Sequence, residues 1–184
     1  ADALVTCGLE VTVIGLEPTP LHTIDPLLGL AVQHVLERHG VRVLTETPVD
    51  HIERRDSALA VITKADETLD TDVVLVATGV EPNTKLLAAA GVRIGIRGAA
   101  KVSRAMETSI ADVYAAGDCC ETWHRILHQP LYLPLGTTAH KQGRIAGENA
   151  VGRRREFAGT LGTQVLKIFE LAVARTGLND LDAA

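Results

Sequence analysis

Apolar and polar positions along the chain predict two kinds of β-strand. The runs 72–77 and 113–116 are short stretches rich in apolar residues, and such runs are typical of parallel strands that are covered on both faces. Residues 48–72 instead alternate apolar and polar positions, with breaks at the turn residues Asp56 and Asp66. This alternation predicts an antiparallel meander with one exposed face. The chain is therefore expected to have an α/β fold that combines parallel sheets with a meander.

Glycines and capping residues mark the ends of the first predicted helices. Gly8 closes a helix at the start of the chain, and the strand 11–14 follows at once. Asp25 and Pro26 have the chemistry of a helix start, and Gly40 is the expected stop of that helix. Helical spacing predicts that the residues on its buried side are Leu28, Ala31, Val35 and Leu36.

A longer helix is predicted from Thr137 or Thr138 to about Ala150, with a threonine oxygen as its cap. The partial positive charge at its N-terminus would stabilise negative charge on a ring system placed there. One of its faces carries a small residue at every fourth position, which would let it approach a sheet or a flat ligand closely. This stripe consists of Ala139, Gly143 and Gly147.

Gly117 and Asp118 end the apolar run 113–116 and allow two interpretations. A carboxylate at the carboxyl end of a strand can accept a hydrogen bond from a sugar or polyol hydroxyl, and a glycine lets a ligand approach the backbone. Glycine and aspartate are also the usual residues of an ordinary turn. The dipeptide alone favours the turn, but the run 72–77 also ends in small residues, at Thr78 and Gly79. Two such strand ends together favour a cofactor site.

Composition and charge exclude several classes of protein. The apolar fraction of 46% supports a packed core, while the net charge of -5 and the absence of a basic stripe argue against a nucleic-acid partner. The triplet 153–155 is the exception, and it is expected to be a solvated helix end. No apolar run approaches the roughly 20 residues of a membrane span. We therefore expect a cytoplasmic protein with no membrane partner.

The three cysteines do not form a metal-ligand or disulfide pattern. Cys7, Cys119 and Cys120 lack both C-x-x-C spacing and the spacing of a zinc site, so no metal site is predicted. The adjacent pair could be bridged only through a strained ring. No catalytic residue is assigned to this chain.

Three segments in order resemble the pyridine nucleotide-disulfide oxidoreductases. Residues 108–118, Thr-Ser-Ile-Ala-Asp-Val-Tyr-Ala-Ala-Gly-Asp, are similar to the second flavin motif of that family. Residues 73–83, Val-Val-Leu-Val-Ala-Thr-Gly-Val-Glu-Pro-Asn, resemble its segment that leaves the NAD(P)-binding domain. Residues 133–149 are most similar to the branch with NADH oxidases, coenzyme A-disulfide reductases and persulfide reductases. The resemblance implies Rossmann-like dinucleotide-binding units.

The resemblance also implies the cofactors FAD and NADH or NADPH. Asp118 would hold the ribitol of FAD, and Gly117 would give it close approach. The start of the long helix would lie at the isoalloxazine ring. The residues implied there are Leu135, Gly136, Thr137, Thr138 and Ala139.

The resemblance places the bound nicotinamide cofactor beside Ala77, Thr78 and Gly79. Family members often have an acidic residue where this chain has Gly15, and Glu17 follows two positions later. No arginine or lysine lies in residues 15–21 to meet a 2′-phosphate, so NADH is favoured over NADPH.

The resemblance implies an incomplete chain. The N-terminal flavin fingerprint, the redox-active cysteine and the nicotinamide glycine-rich loop of the family are all missing. We expect residues 1–80 to be the C-terminal part of an NAD(P)-binding domain and 81–156 that of an FAD-binding domain. Residues 157–184 fit either helical spacing or a strand. The resemblance favours a strand at the start of an α+β dimerisation domain, which implies a homodimer in the intact protein.

Two functional classes follow. The first is a segment of an FAD-dependent oxidoreductase that passes hydride from NAD(P)H to FAD and on to oxygen, a disulfide or a persulfide as the small-molecule acceptor. The second is a truncated fragment without bound cofactor and without activity. The parent protein is expected to be an enzyme, and this chain alone is expected to be inactive.

Overall fold

A computed structural model describes residues 1–21 and 23–179, which divide into two compact units. The first unit consists mainly of residues 1–77 and 164–175, and the second contains residues 78–163 and 176–178. Each unit has its own cluster of buried apolar side chains.

The first unit opens with a helix-strand-helix-strand sequence. Helix α1 spans Asp2–Thr6, strand β1 spans Thr12–Ile14, helix α2 spans Pro26–Arg38 and strand β2 spans Arg42–Leu44. The two strands pair in parallel, with Val13 opposite Val43. Parallel pairing requires a crossover between the strands, and α2 supplies it.

Helix α2 begins and ends at the residues that the sequence predicts. The Asp25 side chain accepts a hydrogen bond from the Leu27 N–H at 2.9 Å, and Gly40 follows the helix with a left-handed φ of 79°. The predicted buried face is partly wrong, because Leu28 and Ala31 are exposed. The helix instead buries the side that carries Gly29, Val32, Val35 and Leu36.

Gly29 explains why α2 is turned in this way. A Cβ atom at Gly29 would lie 2.5 Å from the Thr19 Oγ1 atom, so the helix can approach the loop before it only where there is no side chain. Val32 and Leu36 then join Ile24, Val41 and Val173 in one buried cluster. Because α2 has apolar residues on several faces, its contacts with other segments decide which face is buried.

The predicted antiparallel meander is confirmed. Strands β3 (Val49–Arg55), β4 (Ala58–Thr63) and β5 (Thr68–Thr71) pair in the order β3-β4-β5. Asp56 and Asp66 occupy the connecting turns with φ of 48° and 60°, a backbone region that aspartate tolerates better than most residues.

The apolar run 72–77 does not form the strand that its pattern predicts. Val73, Leu75 and Val76 are 77%, 76% and 67% exposed, and these residues pair with no strand in the described part of the chain. A run of this kind becomes a buried strand only when neighbouring strands supply its hydrogen bonds and cover its faces. Here the parallel sheet consists of β1 and β2.

The strand predicted at 113–116 is also reduced, to a single antiparallel bridge between Tyr114 and Glu107. Ala115 is nevertheless buried, in a cluster with Val92, Ala100 and Cys120. The apolar run therefore forms part of the core of the second unit without belonging to a sheet.

The remaining elements of the second unit frame this cluster. A short helix, α3, spans Lys85–Ala89, and a 3-10 turn spans Ile96–Gly98. Strands β6 (Thr122–His124) and β7 (Gln129–Leu131) form an antiparallel hairpin, which the sequence pattern does not predict. Helix α4 follows at Gly136–Ala150.

A hairpin near the C-terminus packs with the first unit. Strands β8 (Gln164–Ile168) and β9 (Leu171–Arg175) pair antiparallel, which confirms the strand interpretation of this segment and not the helical one. The Phe169 ring stacks on His39 with a centroid distance of 3.8 Å. Residues 180–184 lie outside the described residues, as does His22. The α/β prediction for the whole chain is confirmed.

Candidate functional site

Gly117 and Asp118 lie in a tight turn in the second unit. Gly117 has a left-handed φ of 86°, and its carbonyl accepts a hydrogen bond from the Cys120 N–H at 3.1 Å. The Asp118 side chain is at the exposed outer side of this turn. The local geometry is the glycine-aspartate turn of the simpler interpretation, and it exposes the carboxylate to solvent.

Gln142, on α4, connects this turn to the helix by hydrogen bonds. The side chain has 0% exposure, and its Oε1 atom accepts a hydrogen bond from the Gly117 N–H at 2.9 Å. Its Nε2 atom donates to Thr122 Oγ1 at 3.1 Å and to the Glu121 carbonyl at 3.4 Å. Sequence reasoning missed this residue. The available signal was a stripe of polar residues at helical spacing on α4, namely Thr138, Gln142 and Asn149, all of which are buried.

The N-terminus of α4 differs from the prediction of a threonine cap. The N-cap residue is Leu135, and no side chain within residues 1–21 and 23–179 caps the helix. The N–H groups of Thr138 and Ala139 both donate to the Leu135 carbonyl at 2.9 Å. Those of Gly136 and Thr137 have no acceptor among the residues that the structure describes. Uncapped N–H groups at a helix start favour negative charge nearby.

The stripe of small residues on α4 has two kinds of surroundings. A Cβ atom at Gly117 would lie 3.4 Å from the Cβ atom of Ala139, so the turn and the helix are in close contact at this point. Around Gly143 and Gly147, no atom of the described residues outside the backbone of α4 itself lies within 4 Å of the position of an added Cβ. On this face of the helix, Ala139 contacts the turn, and Gly143 and Gly147 leave the surface open.

Tyr132 is a second residue that sequence reasoning did not assign to the site. Its hydroxyl is buried and has no hydrogen-bond partner within residues 1–21 and 23–179. Burial raises the pKa of this phenol, and the negative charge of Asp118 raises it further. A buried hydroxyl without a partner costs free energy, so this atom is suited to a polar group supplied by a ligand.

Cys119 and Cys120 are free thiols directly after Asp118. A hydrogen bond from the Cys120 thiol lowers the pKa of Cys119 to about 6, because it stabilises the Cys119 thiolate. The same interaction and burial raise the pKa of Cys120. Cys120 also points towards the Gly117 carbonyl at 3.3 Å and is 1% exposed, whereas Cys119 is partly accessible.

The residues predicted to contact the nicotinamide cofactor are divided between the units. Glu17 and Ala77 are exposed residues of the first unit, and Thr78 and Gly79 are exposed at the start of the second. Gly79 has a left-handed φ of 106°, and apart from its two chain neighbours no atom of the described residues lies within 4 Å of an added Cβ. The Glu17 carbonyl accepts a hydrogen bond from the Glu46 N–H at 3.2 Å, which holds the backbone after β1.

The sequence profile described as pyridine nucleotide-disulphide oxidoreductase matches residues 1–143, which is most of the chain. The chain belongs to this family. The resemblance of the three motifs is therefore confirmed.

No helix in the described part of the chain is long and apolar enough to cross a membrane.

Curated relatives in the family are much longer than this chain. It is 39% identical to a CoA-dependent NAD(P)H sulfur oxidoreductase of Pyrococcus furiosus, over all of this chain and 41% of the relative. It is 37% identical to an NADH oxidase of Methanocaldococcus jannaschii, over 96% of this chain and 39% of the relative. The chain thus spans about two-fifths of the length of these proteins.

Solved structures of family members share its fold. An NAD-dependent persulfide reductase from A. fulgidus matches with a TM-score of 0.94 and 36% identity, over 99% of this chain and 34% of that protein. A water-forming NADH oxidase from Lactobacillus brevis, bound to NADH, matches with a TM-score of 0.91 and 27% identity, over 99% of this chain and 40% of that protein.

Proposed function

We propose that the chain is a segment of an FAD-dependent NAD(P)H oxidoreductase, called the intact enzyme below. The observation that carries the proposal is the arrangement in the second unit. There Gln142 holds the backbone of the turn that carries the exposed carboxylate of Asp118, beside a helix that no side chain of the described residues caps. A flavin nucleotide has matching groups, since its ribitol offers hydroxyl donors and its ring takes up negative charge on reduction.

The residues of the second unit fit such a group. Asp118 would accept a hydrogen bond from a ribitol hydroxyl, and Gly117 leaves room because it has no side chain. Leu135, Gly136, Thr137, Thr138 and Ala139 would face the ring with the positive end of α4. Tyr132 would gain the partner that its buried hydroxyl lacks among the described residues. Bound FAD would supply the chemistry of accepting a hydride and passing its electrons on.

The nicotinamide cofactor would lie against Ala77, Thr78 and Gly79, with Glu17 near its ribose. A carboxylate suits a ribose 2′-hydroxyl and repels a 2′-phosphate, and residues 15–21 contain no arginine or lysine to offset that repulsion. We propose NADH as the preferred donor. The relative from Methanocaldococcus jannaschii, an NADH oxidase, supports this preference.

The terminal acceptor in the intact enzyme would be oxygen, a disulfide or a persulfide. Relatives named as NADH oxidase and as sulfur or persulfide reductase support this range. We further propose a cytoplasmic homodimer. Its domains would be 1–80 for the nicotinamide cofactor, 81–156 for FAD and 157–184 as the start of the dimerisation domain. The division of the chain into compact units after residue 77 supports the first boundary.

The second candidate is a non-catalytic fragment without bound cofactor. The exposed apolar run at Val73, Leu75 and Val76 favours it, because a complete nucleotide-binding domain covers such a run. A visible absorption spectrum of the purified chain separates the candidates. Retained yellow flavin absorption supports an intact flavin site, and a colourless protein that stays colourless after incubation with FAD favours the fragment.

A further inference from the structure

Gln142 is the sole hydrogen-bonded connection between α4 and the segment 117–122 among the described residues. The Gly117 N–H, the Cys120 thiol, the Glu121 carbonyl and the Thr122 hydroxyl all meet its amide, and no other side chain of α4 bonds to this segment. Every hydrogen bond between this segment and the helix therefore depends on one side chain.

The oxygen and both hydrogens of the Gln142 amide form hydrogen bonds. Its oxygen accepts from the Gly117 N–H at 2.9 Å, and its nitrogen has one acceptor for each hydrogen. Because the oxygen has a backbone donor, both hydrogens have acceptors and the side chain has 0% exposure, the amide has one orientation. Water cannot take its place at the Gly117 N–H without opening the core.

We infer that Gln142 is the positioning residue of the flavin site. It holds the backbone of Gly117 so that the carboxylate of Asp118 and the N-terminus of α4 keep the spacing that one flavin requires. The inference rests on the proposed function. Gln142 is buried beneath the turn, so it acts through Gly117 and not by contact with the cofactor.

Asn149 provides a matched control on the same helix. It is also buried, at 6% exposure, and its amide also joins α4 to other segments. Its Nδ2 atom donates to the carbonyls of Ala105 and Arg155, and its Oδ1 atom accepts from the Arg155 N–H, all at 2.8 Å. Loss of this amide should therefore weaken the fold to a similar extent without moving Asp118.

The test compares Gln142→Met, Gln142→Glu and Asn149→Leu in the intact enzyme. Each apoprotein is titrated with FAD, the absorption spectrum of the bound flavin is recorded, and thermal unfolding is measured alongside. Gln142→Met should raise the Kd for FAD about tenfold and change the flavin spectrum, because the Gly117 N–H loses its acceptor. Gln142→Glu keeps an acceptor for the Gly117 N–H, so its Kd for FAD should lie between those of the wild type and Gln142→Met. Asn149→Leu should lower the thermal stability but keep the Kd and the spectrum of the wild type.

Two results would overturn the inference while leaving the proposed function intact. One is a wild-type Kd in Gln142→Met, and the other is an equal rise in Kd in Asn149→Leu. If Gln142→Met does not fold, Gln142→Glu decides by the same titration: a raised Kd with a changed spectrum supports the inference, and wild-type values overturn it. A wild-type protein that takes up no FAD refutes the proposed function itself, and the inference with it.

Discussion

Gly117 and Ala139 meet where the Asp118 turn crosses α4, and a Cβ atom added at Gly117 would lie 3.4 Å from that of Ala139. The left-handed backbone at Gly117, with φ of 86°, adds a steric penalty for any side chain. Gly117→Ala should therefore lower the free energy of unfolding by about 1 kcal/mol and weaken FAD binding. Urea unfolding and FAD titration measure the two effects.

Gly147→Ala is the matched control for this substitution. Gly147 lies inside α4 with open space where its Cβ would be, so alanine should raise stability by up to about 1 kcal/mol through helix propensity. Equal stability of Gly117→Ala and the wild type would contradict the proposed close contact.

Asp118→Asn should reduce affinity for FAD with little effect on stability. The side chain is exposed, and no hydrogen bond of its carboxylate to the described residues is present. Loss of a charged acceptor for a ribitol hydroxyl costs roughly 1.5–3 kcal/mol of binding free energy, or about 10- to 150-fold in Kd. Asp112→Asn, another exposed aspartate of the second unit, should leave the Kd unchanged. If both variants bind FAD like the wild type, Asp118 is not a flavin ligand.

Local chemistry explains which parts of the fold the sequence predicts. Asp25 and Gly40 bound α2 by a cap and a left-handed stop, and Asp56 and Asp66 turn the meander, so neighbouring residues suffice to locate these elements. The family motifs likewise depend on contiguous residues. They led to the correct family from sequence alone.

Most of the wrong predictions concern contacts between distant residues. The threonine cap predicted for α4 is the exception, because Leu135 occupies the N-cap position. The buried face of α2 depends on Thr19 approaching Gly29, and the exposure of residues 72–77 depends on which strands lie beside them. Gln142 was missed because its partners, Gly117 and Thr122, lie 20 or more residues away in the chain. The sequence pattern indicated the stripe of small residues that begins at Ala139. The hydrogen bonds of α4 to other segments instead come from the stripe of buried polar residues that contains Gln142 and Asn149.

The intact enzyme should prefer NADH to NADPH. Glu17 is exposed after β1, and its carboxylate would repel a 2′-phosphate while accepting a hydrogen bond from a 2′-hydroxyl. Glu17→Arg should therefore reduce the ratio of kcat/KM for NADH to that for NADPH by at least about tenfold. Glu10→Arg, an exposed position on the same unit, controls for the general effect of added positive charge. Strong NADPH preference in the wild type would refute the assignment of Glu17.

Cys119 should react as a thiolate near neutral pH. Its pKa is lowered to about 6, chiefly by the hydrogen bond from the Cys120 thiol, whereas an ordinary thiol ionises near 8.5. Because the pKa of Cys119 is lower in the folded protein, ionisation of this thiol raises the free energy of unfolding. This contribution is complete above about pH 8.5 and is lost as the pH falls through about 6. The raised pKa of Cys120 acts in the opposite direction above about pH 8.5, where the unfolded chain would ionise that thiol and the folded protein would not.

Alkylation with iodoacetamide, followed by peptide mass spectrometry, tests this assignment. In the folded protein, the labelling rate of Cys119 should rise with a midpoint near pH 6, while buried Cys120 stays unlabelled. Cys120→Ala removes the hydrogen-bond donor, so the midpoint for Cys119 should move up towards the range of an ordinary thiol. An unchanged midpoint in Cys120→Ala would show that Cys120 is not the cause. Because both thiols follow Asp118 directly, a lower labelling rate after addition of FAD would also connect this pair to the proposed flavin site.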